Sequence, residues 1–196
     1  MGVNKYTPEP ISPLMPNVPN RAELGRLYPI HLVDYDPSWP PLFQREKKRL
    51  LSILGNATIL RIEHFGSTAI PGIRAKPTID ILIELVAGAS VDEIHEKMVG
   101  SGYIRMVEQE DHVMFVRGYS PQGLEKESFH IHMYPEGHGK ISDSILFRDY
   151  LREHPEAARE YQVLKEELAL KYRNDREAYT EGKGEFVKNI LKHVRY

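Results

Sequence analysis

Asp80, His130 and His132 are the residues of this chain whose types and spacing could hold a metal ion. Asp80 stands in Lys76-Pro77-Thr78-Ile79-Asp80-Ile81-Leu82-Ile83-Glu84, a run apolar at nearly every other position, as a central buried strand is. An unpaired carboxylate there costs several kcal/mol, so a cation, a metal or a set of donors must compensate it. Lys76, Arg61 and Arg74 are the nearby structural partners that would do so without chemistry. His130-Ile131-His132 has a spacing of two, which puts both imidazoles on one face of a strand. With Asp80 they make three protein ligands, enough for a catalytic zinc centre with a water in the fourth place. Imidazole ligands tilt the metal from magnesium toward manganese or zinc. Glu63 and His64 precede a turn at the end of another candidate strand. Strand neighbours face opposite ways, so at most one of them faces the same site. Each could be a ligand or general base, or simply structural. Glu84 shares the face of Asp80 but lies too far along the strand to share its metal.

A second set of residues suits phosphate. Phe65-Gly66-Ser67-Thr68 reads as a small-residue turn directly after a strand. Backbone N–H groups of such a turn, with the Ser67 hydroxyl and Thr68 in reserve, can cradle an anion. An ordinary tight turn with a glycine at positive φ has the same composition. Arg74 and Lys76 follow the turn. Lys183 lies between two glycines at an expected helix start, where free N–H groups also favour anions. Arg148 and Arg152 are further cations. Phosphate donors beside a metal-binding carboxylate are the minimal set for nucleotidyl chemistry.

The elements that must position these groups are readable from periodicity. Ser38, followed by prolines, is expected to cap a helix carrying Phe43, Leu50, Leu51 and Leu54 inward until Gly55. Thr58–Phe65 and Thr78–Val86 read as strands. Ser90-Val91-Asp92-Glu93 has the spacing of a capping box and opens a short helix with Ile94, Met98 and Val99. Tyr103–Val107, His112–Tyr119 and Ser128–Tyr134 read as three more strands, with Ser120–Glu127 a loop. Helices are expected over Ile145–Glu153, from Pro155 through Tyr172, and from Thr180 to the end. Strands with one inserted helix and a helical tail predict an α+β fold: a mixed sheet with helices on one side, plus C-terminal helices. Residues 1–29 are a Pro-rich arm, expected to be extended or unstructured. Residues 30–196 form one domain.

Several of these segments together resemble the GrpB family, an uncharacterised group expected to share the nucleotidyltransferase fold of the polymerase-beta superfamily. The resemblance runs from about His31 to the C-terminus. It rests on Asp36-Pro37-Ser38-Trp39-Pro40, Glu63-His64-Phe65-Gly66-Ser67-Thr68-Ala69-Ile70-Pro71-Gly72, Lys76-Pro77-Thr78-Ile79-Asp80-Ile81, His130-Ile131-His132 and Phe147-Arg148-Asp149-Tyr150-Leu151-Arg152. The superfamily pattern is a hydrophobic residue and Gly-Ser, then two acids one residue apart on a strand. Phe65-Gly66-Ser67 and Asp80 match it, while Leu82 stands where the second acid belongs. The resemblance implies a metal-dependent transfer of a nucleoside monophosphate from a nucleoside triphosphate to an unknown acceptor. Leu82 leaves room for a non-catalytic module of the same fold that binds a nucleotide or phosphorylated metabolite. A metal-dependent phosphohydrolase using His130, His132 and Asp80 is the third reading. Fusion of family members to a dephospho-CoA kinase domain implies a link to coenzyme or nucleotide metabolism.

Composition sets bounds. The 196 residues carry a net charge of −2 and no cysteine. Disulfides, thiol chemistry and Cys-ligated zinc are excluded. No basic stripe argues for nucleic acid, which is the least favoured partner. No run is apolar enough to span a membrane, and no secretory or transit signal is legible, so the expected location is cytoplasmic. An oligomer is compatible with the sequence. Gly139-Lys140 and Gly182-Lys183 lack the rest of a P-loop, and no Gly-x-Ser-x-Gly elbow occurs.

Overall fold

The structure, a computed structural model, describes residues 21–120 and 122–195. Five strands form one mixed sheet: β1 (Ile59–Phe65), β2 (Thr78–Leu85), β3 (Ile104–Gln109), β4 (His112–Ser120) and β5 (Gly123–Pro135). Their order is β1-β2-β5-β4-β3. Only β2 and β5 run parallel; the other neighbours are antiparallel. The helices are α1 (Arg21–Leu27), α2 (Trp39–Leu54), α3 (Val91–Gly100), α4 (Gly139–Glu153), α5 (Pro155–Lys171), α6 (Arg176–Glu181) and α7 (Gly184–Val194). The expected α+β class and mixed sheet are present.

Strand parity divides the sheet into two unlike faces. Ile79, Ile81 and Ile83 of β2, Phe129, Ile131 and Met133 of β5 and Phe115 of β4 pack with Trp39, Phe43, Leu50 and Leu54 of α2 and Ile94 and Met98 of α3 in the main core. Each of these aliphatic or aromatic side chains contributes about 1.5–3 kcal/mol when fully buried. That core holds one charged cluster. Glu46 of α2, 1% exposed, accepts both nitrogens of an Arg117 fork at 3.0 and 2.5 Å and the Tyr103 hydroxyl at 2.6 Å. The opposite face carries Asp80, Leu82, His130 and His132, the candidate chemistry.

The C-terminal helices make a second core around the segment after β1. Ile70 and Ile73 pack with Leu151, Ala157, Ala158 and Tyr161. A third small cluster joins Ile30 and Leu32 to Leu168 and Tyr179. These two clusters bring α4 to α7 onto the turn at Gly66-Ser67.

Four local expectations are corrected. Residues 21–27 are helical, not extended, and Tyr28 is buried, its ring 4.8 Å from that of Tyr119; the rest of the Pro-rich arm, residues 1–20, lies outside the described residues. Ser38 does not cap α2 with its side chain; its N–H instead goes to the Asp36 carboxylate at 2.8 Å. The expected loop Ser120–Glu127 is largely strand, because β5 already starts at Gly123. The last helical stretch is broken in two, α6 and α7, at Gly182-Lys183. The Ser90 cap is present, accepting from the Glu93 N–H at 3.3 Å.

Candidate metal and phosphate site

Register assembles the site. In the parallel ladder Asp80 lies beside His130 and Leu82 beside His132, so the acid and both imidazoles share a face. One ligand atom from each of Asp80, His130 and His132 lies within 4.8 Å of the others. That is a spacing one ion can bridge with small side-chain adjustments, and a carboxylate with two imidazoles suits manganese or zinc. The residues therefore fit a divalent metal.

Hydrogen bonds fix the roles within the cluster. His130 Nδ1 is 3.0 Å from Asp80 Oδ1, and its Nε2 is 2.5 Å from the Tyr119 hydroxyl. Arg176 donates to the same hydroxyl at 3.1 Å. Burial opposes ionisation of Asp80, but the His130 hydrogen bond and the nearby His130 and Lys76 outweigh it and hold the carboxyl at about 2. Burial keeps His130 below the ordinary imidazole value. A neutral His130 beside an ionised Asp80 must carry its proton on Nδ1, so Nε2 accepts from Tyr119. Arg176, Tyr119, His130 and Asp80 thus form one directed chain of donors and acceptors. His132 is oriented from its far side: Nδ1 lies 3.1 Å from Nε2 of His112, and the two rings stack. Burial, with His130 and His112 adding to it, drives His132 down to about 3. In the tautomer that gives its Nδ1 proton to His112, Nε2 keeps a lone pair for a metal, the arrangement that outer-shell partners usually impose on metal-binding histidines.

The turn approaches Asp80 closely. Gly66 has φ +69°, and a Cβ built on it would lie 2.3 Å from Asp80 Oδ2. Both the left-handed backbone and the contact require glycine. Ser67 follows at the start of a single 3₁₀ turn, with the buried Tyr161 beside it. Three cations stand near Asp80 and His130. Burial, with Arg176 and Lys183, lowers Lys76 to about 7. Burial also lowers Lys183, whose Nζ sits 4.6 Å from the Tyr179 ring centre. Arg176 is the third. Lys183 lies directly ahead of α7, as the glycine spacing predicts.

Six sequence candidates have other work. Glu63 is ion-paired with Arg148 at 2.9 Å and lies outside the metal cluster. Arg148 is buried and also binds the His64 carbonyl and Asp149. Arg74 pairs with Asp34 at 3.1 Å and Glu166 at 3.2 Å and donates to the Leu32 carbonyl, a strap that ties the N-terminal segment to α5. Thr68 is buried; its hydroxyl donates to the Thr78 carbonyl and lies 3.0 Å from His64 Nε2. His64 itself stacks on Phe43 on the core face. Glu84 binds the Gly137 N–H and Arg61.

Tyr119 and Arg176 were not legible as site residues. Simple alternation from Val116 would turn Tyr119 to the core face with Arg117. A register shift between Arg117 and Tyr119, with Gly118 at φ +79° against the Glu127 carbonyl, re-aims Tyr119 toward His130. Bulges do this beside active sites. A glycine inside a strand is the one sequence signal that marks the place.

Comparison with known proteins agrees with the geometry at the level of family. Residues 29–193 match the GrpB protein family. The chain belongs to the GrpB family. The UPF0157 protein YqkA of Bacillus subtilis is 39% identical over 172 residues, covering 86% of this chain and 49% of YqkA. The UPF0157 protein PA4798 of Pseudomonas aeruginosa is 40% identical over 164 residues, covering 83% of this chain and 66% of that protein. The chain thus spans about half to two-thirds of these relatives. The crystal structure of the conserved protein GrpB from Enterococcus faecalis superposes with a TM-score of 0.73 at 30% identity, covering 84% of this chain and 96% of that one. No helix among the described residues is long and apolar enough to cross a membrane.

Proposed function

We propose that this GrpB protein is a metal-dependent nucleotidyltransferase that moves a nucleoside monophosphate from a nucleoside triphosphate to an acceptor. The observation that carries the reading is the cluster of Asp80, His130 and His132 beside the Gly66-Ser67 turn. Asp80 and His132 would hold a divalent ion, Mn²⁺ or Mg²⁺, with Zn²⁺ allowed by the imidazole; triphosphate oxygens and water complete the set. Such an ion supplies Lewis-acid polarisation of the α-phosphate. The chain's own residues do the rest. The Ser67 turn meets the phosphates through its hydroxyl and backbone. Lys76, Lys183 and Arg176 neutralise them by charge, the lysines as point charges. His130 orients Asp80.

Leu82, fully buried at the place of the second acid, supports a second reading: a module that binds a nucleotide or phosphorylated metabolite without turnover. The missing carboxylate argues for it. Across β2 from Leu82, though, β5 supplies His132, so a second ligand comes from the next strand instead of from β2.

Calorimetric titration with ATP, GTP, CTP and UTP, with and without Mn²⁺ or Mg²⁺, tests the proposal alongside assay of pyrophosphate release. Metal-dependent binding with release supports transfer. Binding without release under every acceptor tried supports the module. Absence of binding with zinc present as purified favours a phosphohydrolase using His130, His132 and Asp80.

A further inference from the structure

Nucleotidyl transfer needs an acceptor hydroxyl, and one already stands in the site with a base against it. The Tyr119 phenol is 2.5 Å from His130 Nε2, and His130 Nδ1 is 3.0 Å from Asp80 Oδ1. Hydroxyl, imidazole and carboxylate in that order are the parts of an activated nucleophile: a base to take the proton and an acid to orient the base. The bulge at Gly118 is what brings the phenol there. Arg176 donates to the phenol oxygen at 3.1 Å, so a cation stabilises negative charge on that oxygen as its proton leaves. The ring is half-buried and held against Tyr28. One imidazole separates its oxygen from Asp80, so a phosphate held beside Asp80 by the charge of Lys76 would lie next to it.

We propose that Tyr119 is a nucleotidyl acceptor, and that the chain modifies itself there with a nucleoside monophosphate. The proposal rests on the nucleotidyl-transfer reading and names its missing acceptor. The Tyr119 oxygen attacks the α-phosphorus of the triphosphate, and the bond from that phosphorus to the bridging oxygen of the β-phosphate breaks. Pyrophosphate leaves with the electron pair. The phenol proton passes to His130 Nε2, and Asp80 balances the imidazolium. The product is a tyrosyl phosphodiester, with one nucleoside monophosphate per chain. No oxidant or further co-reactant is needed.

The test incubates the purified full chain with each α-labelled triphosphate and Mn²⁺. Intact mass, peptide mapping and pyrophosphate release are read together. The expected result is one nucleoside monophosphate per chain on the peptide containing Tyr119, with equimolar pyrophosphate. Tyr119→Phe keeps the ring against Tyr28, and its unfolding temperature reports that it is folded. Labelling should fall in this variant by roughly 100-fold or more, the scale of losing an activated group. Labelling that persists in folded Tyr119→Phe overturns the proposal. So does wild-type protein that binds a triphosphate with metal, or transfers to an added acceptor, yet stays unlabelled; nucleotidyl transfer itself survives that outcome. A wild-type protein that binds no triphosphate under any metal overturns both.

Discussion

Asp80 and His130 stand side by side in the parallel ladder of β2 and β5, joined by a 3.0 Å hydrogen bond between carboxylate and imidazole. The two residues are 50 positions apart, and two strands of the sheet are built between them in sequence. This pairing decides the chemistry of the face. It keeps Asp80 ionised in surroundings that would otherwise protonate it, and it fixes which nitrogen of His130 carries the proton.

Asp80→Asn should weaken Mn²⁺ binding by more than the roughly 10–100-fold that loss of an outer-shell partner costs. His112→Leu, which removes only the group behind His132, should fall inside that range. Calorimetric titration of both variants with the metal alone is the check. Equal affinities for wild type and Asp80→Asn would remove Asp80 from the ligand set.

The same carboxylate predicts an acid limb of stability. Its folded value, about 2, lies below its ordinary 3.8. The unfolded chain therefore takes up the proton first as pH falls. The stabilisation is fully present above about pH 4 and is lost between about pH 4 and pH 2; its size is about 2 kcal/mol. Urea unfolding from pH 5 to pH 2 should fall more steeply for wild type than for Asp80→Asn.

Much of the architecture was legible because its signals are local. β2 announced itself by a run of apolar residues around Asp80 and Glu84, α3 by its capping box, and the Gly66-Ser67 turn by composition. The start of β5 was hidden because Glu125, Lys126 and Glu127 are polar and at least partly exposed, so the hairpin they belong to lacks a hydrophobic signature. The helix α1 was hidden between prolines. Asp80, His130 and His132 were legible as a possible ligand set from their types, but the pairing that brings them together was not, since the jump of β5 past β3 and β4 to pair with β2 leaves no mark on spacing. Tyr119, Tyr161, Arg176 and Tyr179 were unreadable for a related reason. They reach the site through a bulge or through helices packed by the small second and third cores, and none sits in a motif.

Glu63 and Arg148 separate a structural role from a chemical one. Arg148 is 7% exposed and bridges Glu63, Asp149 and the His64 carbonyl. Arg148→Met leaves that carbonyl without its donor and the two half-exposed acids without their cation, and should cost about 1–3 kcal/mol in urea unfolding, the scale of an unsatisfied buried acceptor. Glu63→Gln should leave Mn²⁺ affinity unchanged within about twofold, because Glu63 stands outside the metal cluster. A tenfold loss in folded Glu63→Gln would return it to the ligand set.

Lys76 gives a prediction with a definite sign in pH. Burial and its cationic neighbours hold it at about 7, far below its ordinary 10.5. The folded chain therefore binds fewer protons than the unfolded chain between pH 7 and pH 10.5, and this residue makes stability rise with pH across that window. An anion beside Lys76 reverses the balance. A bound phosphate favours the charged ammonium and raises its value, so the complex takes up a proton where the free protein had none. Titration with inorganic tripolyphosphate at pH 8 should show proton uptake as a dependence of the binding heat on buffer ionisation enthalpy, and affinity should climb as pH falls from 9 to 7. Lys76→Met should bind more weakly and lose most of the buffer dependence. If the variant instead keeps both the affinity and the proton uptake of wild type, the anion sits elsewhere and Lys183 or Arg176 carries it.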